Sequence, residues 1–254
     1  MPTVSRLAIA PVKGLALDHP EEVFVGWTGV PENRRFFLVD ERARLLNGTR
    51  DGPLFRIRAA CDAGGTRLAL TFPDGLVLDD AVALGDPTVT PFWSRPVRGR
   101  LVEGPWSGAL SAFLGRPVRL VRADDPGGGF DDSPVSLLSE ASLAELARQA
   151  GEDRVDGRRF RMLVHVAGCA PHEEDTWIGR RLRIGAAVVR VTSHDARCRM
   201  TTRNPDTGVR DFDTLRAIKD YRGLRDGKAI DFGVYADVMR PGLVRVGDAV
   251  DPEG

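Results

Sequence analysis

The chain has 254 residues, 42% hydrophobic and 28% charged, the balance of a soluble globular protein with room for one large domain or two small ones. Lys plus Arg and Asp plus Glu both number 36, so net charge makes no case for a nucleic-acid or membrane partner, and neither is expected. No apolar run approaches the ~20 residues that span a bilayer, and Met1–Arg6 lacks a secretory pattern, so the expected compartment is the cytoplasm.

In the N-terminal half, 4–12 reads as a strand ending near Pro11, and Gly14 lets the backbone turn or approach a ligand closely. Lys13, just past that strand, is placed to meet either a phosphate or water. Residues 22–27 alternate as a second strand, and 34–40 form a third that opens on Arg34 and Arg35. Asn47-Gly48 predicts a tight turn. Further strands are predicted over 55–60, 67–72 and 97–102, while Pro91 confines 89–93 to a sheet edge. Short strands with regular turn signals predict a small antiparallel barrel or sandwich, with the apolar residues as its core.

The C-terminal half opens with a short helix over 108–115 and a strand over 118–121. Residues 124–130, rich in Pro and Gly, read as a mobile loop with solvated aspartates. Ser139 caps a helix with Glu140 in its first turn, a core stripe at Leu143, Leu146, Ala147 and Ala150, and Gly151 at its end. Arg158, Arg159 and Arg161 repel one another unless solvated or facing an anion, and Glu173, Glu174 and Asp175 are candidate partners. Residues 182–191 form a strand pattern with a turn at Gly185, Asp213 caps a helix ended by Gly223, and 230–238 is a strand. Few helices among many strands predict a mostly β, mixed α+β architecture.

The most informative stretch is Thr192–Gly208. A β-branched run leads to Cys198 between Arg197 and Arg199, and Asn204-Pro205-Asp206-Thr207-Gly208 reads as a tight turn. Two readings stay open for Cys198: flanking guanidinium groups favour a thiolate, and free cysteine is equally at home as a small buried hydrophobe. In a continuous strand Arg197 and Arg199 point away from Cys198, so all three serve one site only if the strand breaks there. His194 and His172 read as structural or solvated residues, and Cys61 and Cys169 as core. Three widely spaced cysteines fit neither a disulfide framework, a zinc site nor an ordinary iron–sulfur cluster.

Ala196-Arg-Cys-Arg-Met-Thr-Thr-Arg-Asn-Pro-Asp-Thr-Gly208 resembles the signature of MOSC domains, named for the C-terminal domain of molybdenum cofactor sulfurases. Ser133-Pro134, Leu137–Leu143, Phe160-Arg161, Glu173–Trp177, Phe232-Gly233 and Val246–Asp248 occur in that family's order. Pro11–Lys13, Asn33–Phe36 and Val39-Asp40 resemble the β-barrel domain that precedes many of its members. The resemblance implies an N-terminal small β-barrel over 1–103 and a mixed MOSC β-barrel with a few short helices over 104–254. It also implies a pterin-type molybdenum cofactor, with Cys198 as metal ligand and catalytic thiolate. Lys13 and Arg35 would meet the pterin phosphate, Arg161 and Arg197 the cofactor, and Ser133 would lie near the pterin. Tyr235 stands where some relatives contact the cofactor, or is a half-buried strand residue. Gly14, Leu163 and Ala196 replace residues that in relatives supply polar contacts.

The implied activity is reduction of N-hydroxylated or related N- or S-oxygenated small molecules, as in amidoxime-reducing enzymes. Electrons would come from a separate flavin or iron–sulfur partner, because no ferredoxin-like segment follows the barrel. The alternatives are a cofactor carrier or sulfur-transfer protein that holds a persulfide on Cys198, and a MOSC-like scaffold with an unrelated ligand.

Overall fold

A computed structural model describes residues 1–46, 48–93 and 95–253. Asn47 of the expected Asn-Gly turn lies outside the described residues. The architecture is mostly β, with three helices, as composition and periodicity predict.

The main sheet has seven strands in the order Thr3–Leu7, Val164–Ala167, Val135–Ser139, Asp231–Arg240, Ala187–Ala196, Arg181–Ile184 and Val250–Pro252. Only Val135–Ser139 and Val164–Ala167 run parallel; the other neighbouring pairs are antiparallel. A bridge between Thr3 and Ala249, with Val4 N donating to Asp248 O at 2.8 Å, brings the first strand against the last and nearly closes the sheet into a barrel. Inside it Leu7, Leu137 and Val166 pack with Trp177, Leu182, Val189, Val191 and Val234.

A second core lies under two smaller sheets. One is the four-stranded sheet Phe36–Val39, Arg119–Ala123, Pro96–Glu103 and Ala83–Pro91; the other joins Arg58–Cys61, Arg67–Thr71 and Val77–Ala81. Phe36–Val39 is buried on both faces: Phe36 and Leu38 enter this core, while Phe37 and Val39 pack with Phe92 and Val121. Ala83–Pro91 lies at a sheet edge, where a proline that donates no hydrogen bond is tolerated.

Strands cross the 103/104 division in both directions. Thr3–Leu7 belongs to the seven-stranded sheet, Glu22–Val25 pairs with Gly242–Arg245, and Arg119–Ala123 completes the sheet of Phe36–Val39. The two cores are therefore interleaved along the chain, and a ligand between them meets side chains from both halves.

The helix Glu140–Ala150 begins and ends as its sequence dictates. Ser139 Oγ accepts from Ser142 N at 3.0 Å, and Gly151 closes it in the left-handed conformation with φ 70°. Asp213 caps Thr214–Arg222 in the same way. Two expectations need correction. Part of the expected strand 55–60 is a 3-10 turn, Gly52–Arg56, with Pro53 in its first turn fixing φ; the strand starts only at Arg58. The loop 124–130 is held down rather than free: Gly127, Gly128 and Gly129 are buried, and carbonyls of the loop accept from Lys13, Thr28 and Arg95.

The turn ending in Gly208 packs directly on Gly52. Gly208 has φ 73°, and a Cβ there would overlap the Gly52 backbone. Gly208→Ala is therefore expected to cost more than about 2 kcal/mol, read as a lower urea midpoint at unchanged slope; an unchanged midpoint would show that the two turns separate freely.

Candidate functional site

Strand Ala187–Ala196 is antiparallel to Asp231–Arg240, with register shifts between Val191 and Ser193 and between His194 and Ala196. It stops at Ala196. Arg197 N still donates to Ile230 O at 2.7 Å, and then a 3-10 turn runs from Arg199 to Thr202. Thr201 holds the turn, donating to Cys198 O from its N at 3.2 Å and its Oγ1 at 3.1 Å. The strand break that the sequence required is thus present. It brings Arg197 and Cys198 to one cleft of about 250 Å³ and turns Arg199 away to another surface.

Cys198 is exposed, which overturns its reading as a small buried hydrophobe. Cys61 and Cys169 are partly buried against the cores, and burial pushes the Cys61 thiol up to about 12.

The cleft opposite Cys198 is cationic. Lys13 is 6% exposed; its Nζ donates to Gly129 O at 3.0 Å, lies 2.9 Å from Asp131 Oδ1 and sits 5.2 Å from the Phe92 ring centre. Burial, with Arg34 and Arg161 nearby, pushes its amine down to about 8 against the pull of Asp131. Burial would raise the Asp131 carboxyl, but Lys13 and Arg34 outweigh it and hold it below the usual range. Arg34 and Arg161 both have left-handed backbones, φ 54° and 55°, and Arg34 Nη2 donates to Arg161 O at 3.3 Å. Arg161 Nη2 donates to Leu15 O at 2.8 Å, and its guanidinium lies 5.2 Å from the Phe55 ring centre. Burial and Arg34 disfavour the Arg161 charge.

On the other wall, Asp195 is 4% exposed and ion-paired to Arg197, whose Nη2 also donates to Phe160 O. Burial pushes the Asp195 carboxyl up to about 6 despite Arg197 and a hydrogen bond from Tyr235. Burial and Asp195 in turn push the Tyr235 phenol well up. Arg197 Nε is buried without a hydrogen-bond partner among the described residues.

Of the sequence-predicted residues, Lys13, Arg161, Arg197, Cys198 and Tyr235 line this cleft together. Arg35 and Ser133 do not. Arg34 ends the turn before the strand Phe36–Val39 with a left-handed backbone, φ 54°, and it is Arg34, not Arg35, that lines the cleft. Arg35 is 5% exposed and donates to Gly64 O and Asp124 O at 3.3 Å. From the segment of Ser133 the cleft takes Asp131, Asp132 and Ser136 instead. Ser136 Oγ accepts from Leu163 N at 3.0 Å. The expected pairing of Glu173–Asp175 with the Arg158 cluster also fails: Arg158 pairs with Asp156 and Asp206, and Arg159 with Asp211. Glu174 is buried and accepts from Ser139 N and Ser142 Oγ, and Asp175 pairs with Arg222. His172 is hydrogen-bonded by Tyr221 at 3.1 Å, and burial with Arg222 pushes it down to about 4; neither it nor His194 lines the cleft.

Sequence reading missed Arg34, Asp131 and Asp195. A usable signal existed for Asp195: it lies two residues before Arg197, the spacing that puts strand side chains on one face.

The donor set suits a phosphate-bearing cofactor with a thiophilic metal. Lys13, Arg34 and Arg161 are anion donors, Cys198 is a thiol open to the cleft, and Arg197 Nε is a buried donor left without an acceptor.

The MOSC domain profile matches residues 124–251. The chain is 30% identical to mitochondrial amidoxime-reducing component 1 of Homo sapiens, over 98% of this chain and 82% of that protein. It is 35% identical to the Xenopus laevis component 1, over 97% and 81%. It is 42% identical to mitochondrial amidoxime reducing component 2 of Bos taurus, over 47% and 37%.

Because the Lys13 charge is lost as pH rises through about 8, sulfate affinity of the cofactor-free protein should fall about tenfold between about pH 7 and 9. Calorimetric titration should show this step in wild type and a much smaller one in Lys13→Met. An equal step in both would assign it to another group.

Proposed function

The chain belongs to the MOSC domain family, and from that premise we propose that it is a molybdenum-cofactor-dependent reductase of N-hydroxylated or related N- or S-oxygenated small molecules. The observation that carries the reading is the exposed Cys198 thiol facing the cationic cleft of Lys13, Arg34 and Arg161. Relatives named as amidoxime-reducing components support it.

When bound, the cofactor supplies a two-electron redox centre with an affinity for soft thiolate. The reaction balances as R–NH–OH plus two electrons and two protons giving R–NH2 and water. The electrons come from a separate flavin or iron–sulfur protein. Lys13, Arg34 and Arg161 would hold the cofactor's phosphate, Cys198 Sγ would ligate the metal, and Arg197 Nε would offer a donor to the pterin. Tyr235 keeps its phenolic proton, and Asp195 holds one on its carboxyl below about pH 6. At neutral pH the Tyr235 proton is therefore the one that stands at the cleft wall, and Asp195 is the carboxylate paired with Arg197. The cytoplasm remains the proposed compartment; among the described residues no helix is long and apolar enough to cross a membrane.

A second reading, a persulfide or cofactor carrier, is favoured by the same exposure of Cys198. Elemental analysis of protein from a cofactor-competent host separates the two. Near-stoichiometric molybdenum is expected in wild type and little in Cys198→Ala, with reduction of an amidoxime by wild type only. Metal-free wild type bearing a persulfide on Cys198, seen as a mass increase lost in Cys198→Ala, would replace the reductase with the carrier.

A further inference from the structure

We infer that the preferred substrate carries a carboxylate or phosphate, held in an arginine-lined annex beside the Cys198 cleft; this rests on the reductase reading above. The annex has a volume of about 530 Å³ and shares Arg159, Arg161 and Met200 with the cleft, so the two adjoin. Lys13 and Arg34 line the cleft and not the annex, Arg56, Arg58 and Arg203 line the annex and not the cleft, and Arg161 stands between the two.

Six arginines line it: Arg56, Arg58, Arg158, Arg159, Arg161 and Arg203. Two have counter-charges, Arg158 from Asp156 and Asp206, and Arg159 from Asp211 at 2.8 Å. Arg161 and Arg203 donate to backbone carbonyls, of Leu15 at 2.8 Å and of Thr49 at 2.7 Å, which satisfies N–H groups without cancelling charge. Arg56 and Arg58 are exposed and make no ion pair among the described residues. Arg56, Arg58 and Arg203, none of them assigned to the cofactor phosphate, therefore share one concave surface without a carboxylate partner among the described residues. Against them stands Asp18, the lining acid that Arg158 does not take.

Isolated surface arginines are ordinarily just solvated. A concave wall of them differs, because low-dielectric surroundings focus the field on whatever enters. Guanidinium groups pair with carboxylate or phosphate through two parallel N–H donors. Phe55, Pro73, Met200 and Pro205 supply apolar wall between the charges. The ligand that fits is a small molecule with an apolar body and one anionic end, its N-oxygenated end in the cleft.

The test compares benzamidoxime with its 4-carboxy derivative, using cofactor-loaded protein and a chemical or enzymatic electron donor. The carboxylate compound should have kcat/KM about tenfold higher, chiefly through KM, and the ratio should approach one in Arg56→Gln/Arg58→Gln. The conservative Arg58→Lys, which keeps the charge, should retain most of it. Equal kcat/KM for the two compounds in wild type, or a preference that survives in the double glutamine variant, overturns the proposal. A parallel arm titrates inorganic pyrophosphate into cofactor-loaded wild type and double variant by calorimetry, where about tenfold weaker binding is expected in the variant. Should neither amidoxime be reduced, the reductase reading fails and this arm alone decides the annex: weaker binding in the variant upholds an anion site, and equal binding removes it.

Discussion

The candidate site depends on where one strand stops. From Val189 to Thr192 the chain alternates as a strand should, with Val189 and Val191 packed into the barrel. Two register shifts then loosen the ladder, and pairing ends at Ala196. Had it continued two residues further, Arg197 and Cys198 would face opposite sides of the sheet. The 3-10 turn that Thr201 fixes on the Cys198 carbonyl removes that restriction. The Asn-Pro-Asp-Thr-Gly turn then carries the chain back against Gly52, tying the thiol segment to the other core. Position of the thiol is thus set by backbone hydrogen bonds and a glycine contact, with the side chain itself left open to the cleft.

That opening is set in a field of its own sign. Arg34 and Arg161 lie close enough to Lys13 to disfavour its charge; Asp131 outweighs that repulsion, and burial is what holds the amine down. Such a cluster costs folding free energy unless solvent or a ligand compensates it. Fixed donors in place before binding are how a site avoids reorganising when an anion arrives. The Asp195–Arg197 pair works differently. It is buried, internally neutralised and braced by the Phe160 carbonyl, so Arg197 serves as rigid wall whose Nε is its remaining donor. Of the two arginines flanking Cys198 in the chain, Arg197 is paired with Asp195 and Arg199 lies on another surface.

Much of the fold was legible along the chain, because helices and edge strands announce themselves locally. Ser139 with Gly151 and Asp213 with Gly223 bound their helices where capping chemistry requires. Pro91 at a sheet edge follows from its missing N–H. What stayed hidden was pairing between distant segments. Nothing in Thr3–Leu7 or Glu22–Val25 signals that both join strands from the far end of the chain, since a strand's pattern records its buried face and not its neighbour. The site shows the same division. Lys13, Arg161, Arg197, Cys198 and Tyr235, put forward from the sequence, line one cleft, while the choice between Arg34 and Arg35 turns on one left-handed residue that composition does not reveal.

The departure at Leu163, with Met162 beside it, acquires a physical meaning from its surroundings. Met162 and Leu163 are 1% and 2% exposed, one packed with Phe160 and Phe232 and the other in the barrel core. Met162 Sδ lies 3.3 Å from Arg197 Nη1, so the thioether closes the back of the guanidinium. A polar amide at Leu163 would be buried among aliphatic side chains and would need a partner there. The chain instead satisfies the Leu163 N–H with Ser136 Oγ and keeps the side chain apolar. Polar contacts are thereby concentrated on the cationic wall and on Arg197 and Tyr235. The cleft thus offers charge at one end and the Cys198 thiol at the other.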